Sequence, residues 1–116
     1  MKILIVDDHP SFRASARTLL ESEGYEVVGE AENGIAALRL AKELHPDLVL
    51  LDVQLPDFDG FEVAERLAAL DGSPQVVLTS SRDVCDYGSC IEAAAAQGFV
   101  PKGELSGAAI AALLAS

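Results

Sequence analysis

The sequence lacks any long apolar run. None of its apolar stretches approaches the roughly 20 residues that a membrane-spanning helix needs. Met1 and Lys2 lead directly into a β-like stretch, without the charged and apolar regions of a cleavable signal peptide. We therefore expect a soluble, cytoplasmic protein that makes no contact with a membrane.

Basic residues are scarce as well. Lysine and arginine together number 8, against 19 aspartates and glutamates, which gives a formal net charge of −11. The basic residues are also scattered along the chain, so they form no patch that could neutralise a phosphate backbone. We expect no direct nucleic acid contact by this chain, because its acidity favours cations and basic protein surfaces.

The sequence also contains few cysteines and no evident linker or repeat. The two cysteines, Cys85 and Cys90, have a spacing that fits neither a C-x-x-C redox site nor a zinc pair, so we predict ordinary thiols. Apart from a helix-favouring alanine run at 93–96, no low-complexity segment is present. The 116 residues are predicted to form one domain, spanning 1–116, with one core.

What the sequence does contain is a regular alternation of short β-like stretches and longer helical ones. Five segments are typical of strands: 2–6, 25–29, 48–52, 75–79 and 99–100. Apolar residues at helical spacing lie between them, with glycine or proline at the junctions. This alternation predicts an α/β fold with a parallel sheet covered on both faces. Pro101 lacks the amide that a central strand needs, which predicts an edge position for the fifth strand.

Polar side chains stand where the predicted strands end. In chain order these residues are Asp7 and Asp8, Asp52, Thr79 and Ser80, and Lys102. Parallel sheets of this kind hold their sites in the crevice at the carboxyl ends of the strands. Carboxylates about 5 Å apart repel each other by about 3 kcal/mol at an effective dielectric near 20, so the group needs a cation. The sequence therefore predicts a Mg²⁺ site, because Mg²⁺ prefers oxygen ligands and brings phosphoryl oxygens with it.

The same residues indicate phosphoryl chemistry. Asp52 is a candidate nucleophilic carboxylate, Lys102 would neutralise charge on a transferring phosphoryl group, and the hydroxyl of Thr79 could donate to a phosphoryl oxygen. Each residue taken singly also has a structural explanation, such as favouring a helix amino terminus or filling a strand. His9 and His45 show no spacing typical of a metal ligand set and are predicted to be structural or solvent-facing.

Five short motifs, occurring in order along essentially the whole chain, resemble the receiver domain of a two-component response regulator. They are Val6-Asp7-Asp8-His9-Pro10, Leu50-Leu51-Asp52-Val53-Gln54-Leu55-Pro56, Gly60, Val77-Leu78-Thr79-Ser80 and Gly98-Phe99-Val100-Pro101-Lys102. The first and last motifs look most like the subgroup that carries a LuxR-type helix-turn-helix output domain. The resemblance implies a flavodoxin-like three-layer (βα)5 sandwich with a five-stranded parallel sheet in the order 2-1-3-4-5.

The resemblance also implies an acceptor and a metal site. Asp52 would accept a phosphoryl group from a phosphohistidine on a sensor histidine kinase. Mg²⁺ or Mn²⁺ would be held by Asp7, Asp8, Asp52 and the backbone carbonyl of Gln54. The implied activity is a signalling switch, with no enzymatic function beyond self-catalysed phosphoryl transfer and dephosphorylation.

A phosphoryl site and a switch pair are implied in the same way. Lys102 and Ser80 would contact the phosphoryl group, and Thr79 and Phe99 would form the switch pair. The face made by the fourth helix, fifth strand and fifth helix would then control an output domain or partner, with a transcriptional outcome, or form a homodimer. Gly88 lies near the predicted start of the fourth helix and predicts a mobile or delayed start for it.

Two other functions stay open at this stage. A phosphate-independent interaction module with a receiver fold would bind its partners constitutively, although the full set of site residues argues against it. An aspartyl-phosphate phosphohydrolase of the haloacid dehalogenase sort would need an acid two residues after the nucleophile. The chain has Gln54 at that position and no cap domain.

Overall fold

Strands and helices alternate around one parallel sheet. The computed structural model describes residues 1–53, 55–57, 60–70, 72–80 and 98–114. The strands are β1 (Lys2–Val6), β2 (Glu26–Ala31), β3 (Leu48–Asp52), β4 (Gln75–Ser80) and β5 (Gly98–Pro101). The helices are α1 (Pro10–Ser22), α2 (Gly34–Leu44), α3 (Gly60–Ala68) and a C-terminal helix (Gly107–Leu114), with a 3-10 turn at Lys102–Glu104. The predictions for Cys85, Cys90 and the fourth helix with Gly88 lie outside the described residues.

Every pair of neighbouring strands is parallel, and the order is β2-β1-β3-β4-β5. One buried cluster packs α2 and α3 against one face of the sheet, and a second packs α1 and the C-terminal helix against the other. The predicted flavodoxin-like α/β fold and its strand order are confirmed, and β5 lies at an edge as Pro101 predicted. In the part of the chain that the structure describes, no helix has the length and apolarity to cross a bilayer.

The composition of β3 explains why it occupies the centre of the sheet. Leu48 and Leu50 belong to one buried cluster, and Val49 and Leu51 belong to the other. Burial of such a side chain stabilises the fold by about 1.5–3 kcal/mol. The apolar run therefore fixes the strand in the core and leaves Asp52 at its carboxyl end.

The helix ends follow the local signals in the sequence. Pro10 is the first residue of α1, where its missing amide donor has no cost. Gly24 follows α1 with a φ of +94°, a conformation that favours glycine. The side chain of Asn33 accepts a 2.8 Å hydrogen bond from the Ala36 amide and so caps the start of α2.

Strand β2 differs from the prediction. The sequence pattern predicted residues 25–29, but the strand runs from Glu26 to Ala31 and continues through Gly29. A Cβ atom at Gly29 would lie 2.9 Å from Cδ1 of Leu44 at the end of α2. Glycine is therefore inside the strand because it lets the helix pack closely, and it does not mark the strand end.

Gly60 begins α3 against the backbone at the end of β3. A Cβ atom at this position would lie 2.5 Å from the Asp52 carbonyl oxygen and 2.6 Å from the Val53 Cα. We expect Gly60→Ala to lower the free energy of unfolding by about 1–3 kcal/mol, because the backbone it would strike cannot rotate away as a side chain can. Urea denaturation measures this change. Gly103→Ala is the matched control, since nothing lies within 4 Å of its added Cβ, and equal losses in both variants would contradict the steric explanation.

Candidate functional site: a carboxylate cluster at the sheet edge

Three carboxylates converge at the carboxyl ends of β1 and β3, which are paired neighbours in the sheet. One oxygen from each of Asp7, Asp8 and Asp52 and one ring nitrogen of His9 all lie within 4.8 Å of one another. Asp7 is completely buried and Asp52 is 3 % exposed, whereas Asp8 is exposed. The predicted acidic site is therefore formed by residues at the ends of two separate strands.

The cluster fits a divalent cation. Two carboxylates at this separation repel each other by about 3 kcal/mol at an effective dielectric near 20, and burial prevents water from relieving the repulsion. Lys102 compensates one of the three negative charges, and a divalent ion would compensate the other two. All three carboxylates offer the hard oxygen ligands that Mg²⁺ prefers.

Lys102 reaches the cluster from the turn that follows β5. Its Nζ lies 2.6 Å from Asp7 Oδ2 and 3.4 Å from Asp52 Oδ2. The shorter contact is an ion pair without the directionality of a good hydrogen bond, since Asp7 Oδ2 has no well-aligned donor. Burial lowers the pKa of Lys102, but its contacts with Asp7 and Asp52 outweigh that effect and raise the pKa above its ordinary value of 10.5. The side chain therefore stays positively charged at neutral pH.

Thr79 and Ser80 end β4 beside the candidate acceptor. Thr79 is the sheet partner of Asp52, and both hydroxyl residues are buried. The Thr79 Oγ1 has no hydrogen-bond partner within the described ranges. Most buried hydroxyl groups are hydrogen-bonded, so an unpaired one next to Asp52 is suited to donate to a ligand there.

Phe99 lies in β5, where its sheet partner is Leu78, the residue before Thr79. It is half-buried and packs against the cluster on the α2 and α3 face. A depression of about 260 Å³ beside it lies between β5 and the C-terminal helix, and it is lined by Phe99, Val100, Pro101, Glu104, Ala109 and Ala112. The carbonyl of Gln54, predicted as a metal ligand, lies outside the described residues.

His9 belongs to the site, although its spacing did not indicate this. Its Nδ1 lies 2.9 Å from Asp7 Oδ1 and 3.0 Å from Asp8 Oδ1. The side chain is 64 % exposed, so the prediction of a solvent-facing residue is confirmed, although one of its ring nitrogens lies among the carboxylate oxygens. Its position directly after two aspartates was the available signal.

Arg13 supports the end of β1 from α1. Its guanidinium donates to the Asp7 backbone carbonyl at 2.6 Å and to Glu30 Oε1 at 3.1 Å. Arg17 contacts the other oxygen of Glu30 at 2.6 Å. The charged Arg13 donor therefore holds the backbone that carries Asp7, and Glu30, which Arg17 also contacts, fixes the position of Arg13.

A cavity of about 250 Å³ lies at the opposite, amino-terminal ends of the strands, where the chain enters β3 and β4. It is lined by Ala41, Lys42, His45, Pro46, Leu70, Gly72 and Pro74. These residues include no carboxylate or hydroxyl group. Among the described residues, the carboxylate cluster is therefore the better candidate for phosphoryl chemistry.

Comparison with known protein families and sequences points to one family. A family model described as the response regulator receiver domain matches residues 3–113. A virulence factors putative positive transcription regulator, BvgA of Bordetella pertussis, is 47 % identical over 105 residues, which are 89 % of this chain and 49 % of that protein. The chain spans about half the length of the first curated relatives it matches.

Solved structures agree with this similarity. A two-component response regulator of the LuxR family from Aurantimonas sp. SI85-9A1 superimposes with a TM-score of 0.86 at 33 % identity, over 98 % of this chain and 85 % of that one. The response regulator TrrA from Thermotoga maritima, in complex with Mg²⁺-BeF, gives a TM-score of 0.77 at 34 % identity, over 86 % and 84 % of the two chains.

Proposed function

The chain belongs to the response regulator receiver domain family of two-component signalling, and we propose that it is a phosphorylation-dependent switch whose phosphoacceptor is Asp52. The observation that supports this most strongly is the convergence of Asp7, Asp8, Asp52 and Lys102 at one edge of the sheet. We assign the whole chain, residues 1–116, to this receiver domain.

Asp52 is suited to be the nucleophile. In the proposed reaction, one of its carboxylate oxygens forms a bond to phosphorus, the bond from phosphorus to the histidine nitrogen of a sensor kinase breaks, and the imidazole leaves with the electron pair. Lys102 and Ser80 would contact the phosphoryl oxygens, and the ammonium of Lys102 would neutralise part of their charge. The ammonium already lies 3.4 Å from the acceptor carboxylate.

Mg²⁺ or Mn²⁺ would be held by the carboxylates of Asp7, Asp8 and Asp52 and by the backbone carbonyl of Gln54. When bound, the ion supplies positive charge that offsets the charge of the phosphoryl oxygens. The clustering of hard oxygen donors from Asp7, Asp8 and Asp52 supports this assignment. The similar protein TrrA is in complex with Mg²⁺-BeF.

Thr79 and Phe99 would carry the change to the surface. The unpaired Thr79 hydroxyl would donate to a phosphoryl oxygen on Asp52, and a shift of Thr79 would alter the packing around Phe99 in the neighbouring strand. We propose that the depression between β5 and the C-terminal helix is part of the surface that an output domain, a partner protein or a second copy of the chain recognises, together with the fourth helix predicted from the sequence.

The proposed partners follow from the relatives. The donor is a sensor histidine kinase, and the output is transcriptional, because relatives that are about twice as long are named transcription regulators. Those relatives also support a cytoplasmic location. Contact with nucleic acid would be made by an output domain or partner, because the chain itself carries a net charge of −11.

Intact mass spectrometry after incubation with acetyl phosphate tests the function. We expect one added phosphoryl group per chain when Mg²⁺ is present and none when a chelator removes it. If no adduct forms at any Mg²⁺ concentration, the switch proposal is wrong and a phosphate-independent interaction module replaces it. Continuous release of phosphate with no protein adduct would instead favour a phosphohydrolase.

The variant Thr79→Val tests the switch role of Thr79 independently of the acceptor role of Asp52. The substitution removes a buried hydroxyl that has no partner, so the free energy of unfolding should stay unchanged or rise by up to about 1 kcal/mol. Phosphorylation of Asp52 should persist, while the phosphorylation-dependent change in the amide NMR signal of Phe99 should be lost. Thr18→Val, which changes a bonded hydroxyl on the surface of α1, should leave that signal change intact. A clear loss of stability in Thr79→Val would contradict an unpaired hydroxyl.

A further inference from the structure

Phe12 has a contact that its place in the apolar pattern of α1 does not explain. The Nζ atom of Lys102 lies 4.6 Å from the centroid of the Phe12 ring, within the range of about 6 Å over which an aromatic face attracts a cation. The ring is also half-buried and packs against the cluster beneath α1, so its position is fixed by the core. The Phe12 ring therefore has a fixed position, with its face toward the ammonium of Lys102, which also contacts the proposed phosphoacceptor Asp52.

Binding of a divalent ion would change the three contacts of Lys102, with Asp7, Asp52 and Phe12, to different extents. The closest is the ion pair with Asp7 at 2.6 Å, followed by the contact with Asp52 at 3.4 Å. Asp7 and Asp52 both belong to the carboxylate group that fits the cation. A bound cation would take up charge of both carboxylates and would also repel the ammonium, so metal binding weakens both ion-pair contacts of Lys102 and leaves its contact with the Phe12 ring.

We propose that Phe12 is a positioning residue that keeps the ammonium of Lys102 beside Asp52 once a divalent cation has engaged Asp7. The inference rests on the proposed function of Asp52, but it concerns a side chain that touches neither the metal nor the phosphoryl group. The metal does not compete for the aromatic ring. An aliphatic side chain could fill the same space in the core but has no π face to attract the ammonium.

The variants Phe12→Leu and Phe12→Tyr separate the π face from the apolar volume. Leucine retains most of the buried apolar contact and removes the ring, whereas tyrosine keeps the ring and should rescue the function. At saturating Mg²⁺, we expect Phe12→Leu to be phosphorylated by acetyl phosphate about 2- to 30-fold more slowly than the wild type, in line with the loss of one cation–π contact. The Mg²⁺ dissociation constant should be unchanged, because Phe12 provides no ligand.

The NMR signals of the Lys102 ε-methylene protons report the position of the ammonium without reference to phosphorylation. Protons over an aromatic face are shifted upfield by its ring current, so we expect an upfield shift in the wild type that persists at saturating Mg²⁺. The shift should vanish in Phe12→Leu and return in Phe12→Tyr. Ala14→Gly, a change in α1 that alters no aromatic ring, is the control for general loosening of the helix.

The results of these experiments distinguish failure of the positioning role of Phe12 from failure of the acceptor role of Asp52. Wild-type protein that takes up no phosphoryl group, yet keeps the upfield shift with Mg²⁺, would refute the acceptor role and leave the Phe12 contact standing. A wild-type rate and an unchanged Lys102 signal in Phe12→Leu would overturn the positioning role and leave the acceptor role standing. If Phe12→Leu does not fold, the wild-type Mg²⁺ titration decides alone, because loss of the upfield shift at saturation would overturn the proposal.

Discussion

Asp52→Asn is expected to show no added phosphoryl group by intact mass under conditions in which the wild type gains one. The amide has nearly the same shape as the carboxylate but lacks the anionic oxygen that attacks phosphorus. The fold should be retained, because the substitution removes one of three carboxylate charges that lie within 4.8 Å of one another. The expected loss is therefore chemical rather than structural.

Glu65→Gln is the matched control for this result. It also neutralises one carboxylate, but it lies on the exposed side of α3. Its phosphorylation should equal that of the wild type. An adduct of normal yield on Asp52→Asn would show that another side chain is the acceptor and would contradict the assignment.

Replacing the two acids that follow β1 is expected to remove the metal site. Asp7→Asn and Asp8→Asn each withdraw one anionic oxygen, so each should weaken Mg²⁺ binding at least tenfold, a loss of about 1.4 kcal/mol or more. The double variant should show no binding by isothermal titration calorimetry. It should also resist phosphorylation by acetyl phosphate, because Asp52 then lacks the divalent charge beside it.

Asp47→Asn is the control for the metal titration. Its carboxylate accepts a 2.8 Å hydrogen bond from the Lys2 amide, at the opposite end of β1 from the acidic cluster. The Mg²⁺ affinity of this variant should equal that of the wild type. If Asp7→Asn and Asp8→Asn both titrate like the wild type, the cation lies elsewhere and the metal assignment is wrong.

The central part of the fold could be predicted because its signals are local. The uninterrupted apolar run of β3 is typical of a strand buried on both faces, so the position of Asp52 at the carboxyl end of that strand follows from the point where the run ends. The same reasoning places Asp7 after β1. Strand β2 was less predictable, because the strand continues through Gly29, where Leu44 packs closely. The residues of the strand itself contain no pattern that indicates this contact.

Contacts between distant segments account for what the sequence did not show. Phe12 fits the apolar spacing of α1, and that spacing does not indicate its contact with Lys102, which follows the last strand. Arg13 holds the Asp7 backbone through a helix that crosses over the end of β1. Such contacts depend on how α1 lies against the sheet, which periodicity alone does not determine.

Borohydride reduction followed by peptide mass mapping identifies the acceptor directly. Borohydride reduces an aspartyl phosphate to homoserine and does not reduce a free carboxylate. After treatment with acetyl phosphate and Mg²⁺, we expect the reduced residue at position 52 and at no other position, and we expect none when the ion is chelated. An unmodified Asp52 in a sample that carries a phosphoryl group, or reduction at another aspartate, would contradict a phosphoacceptor at the end of β3.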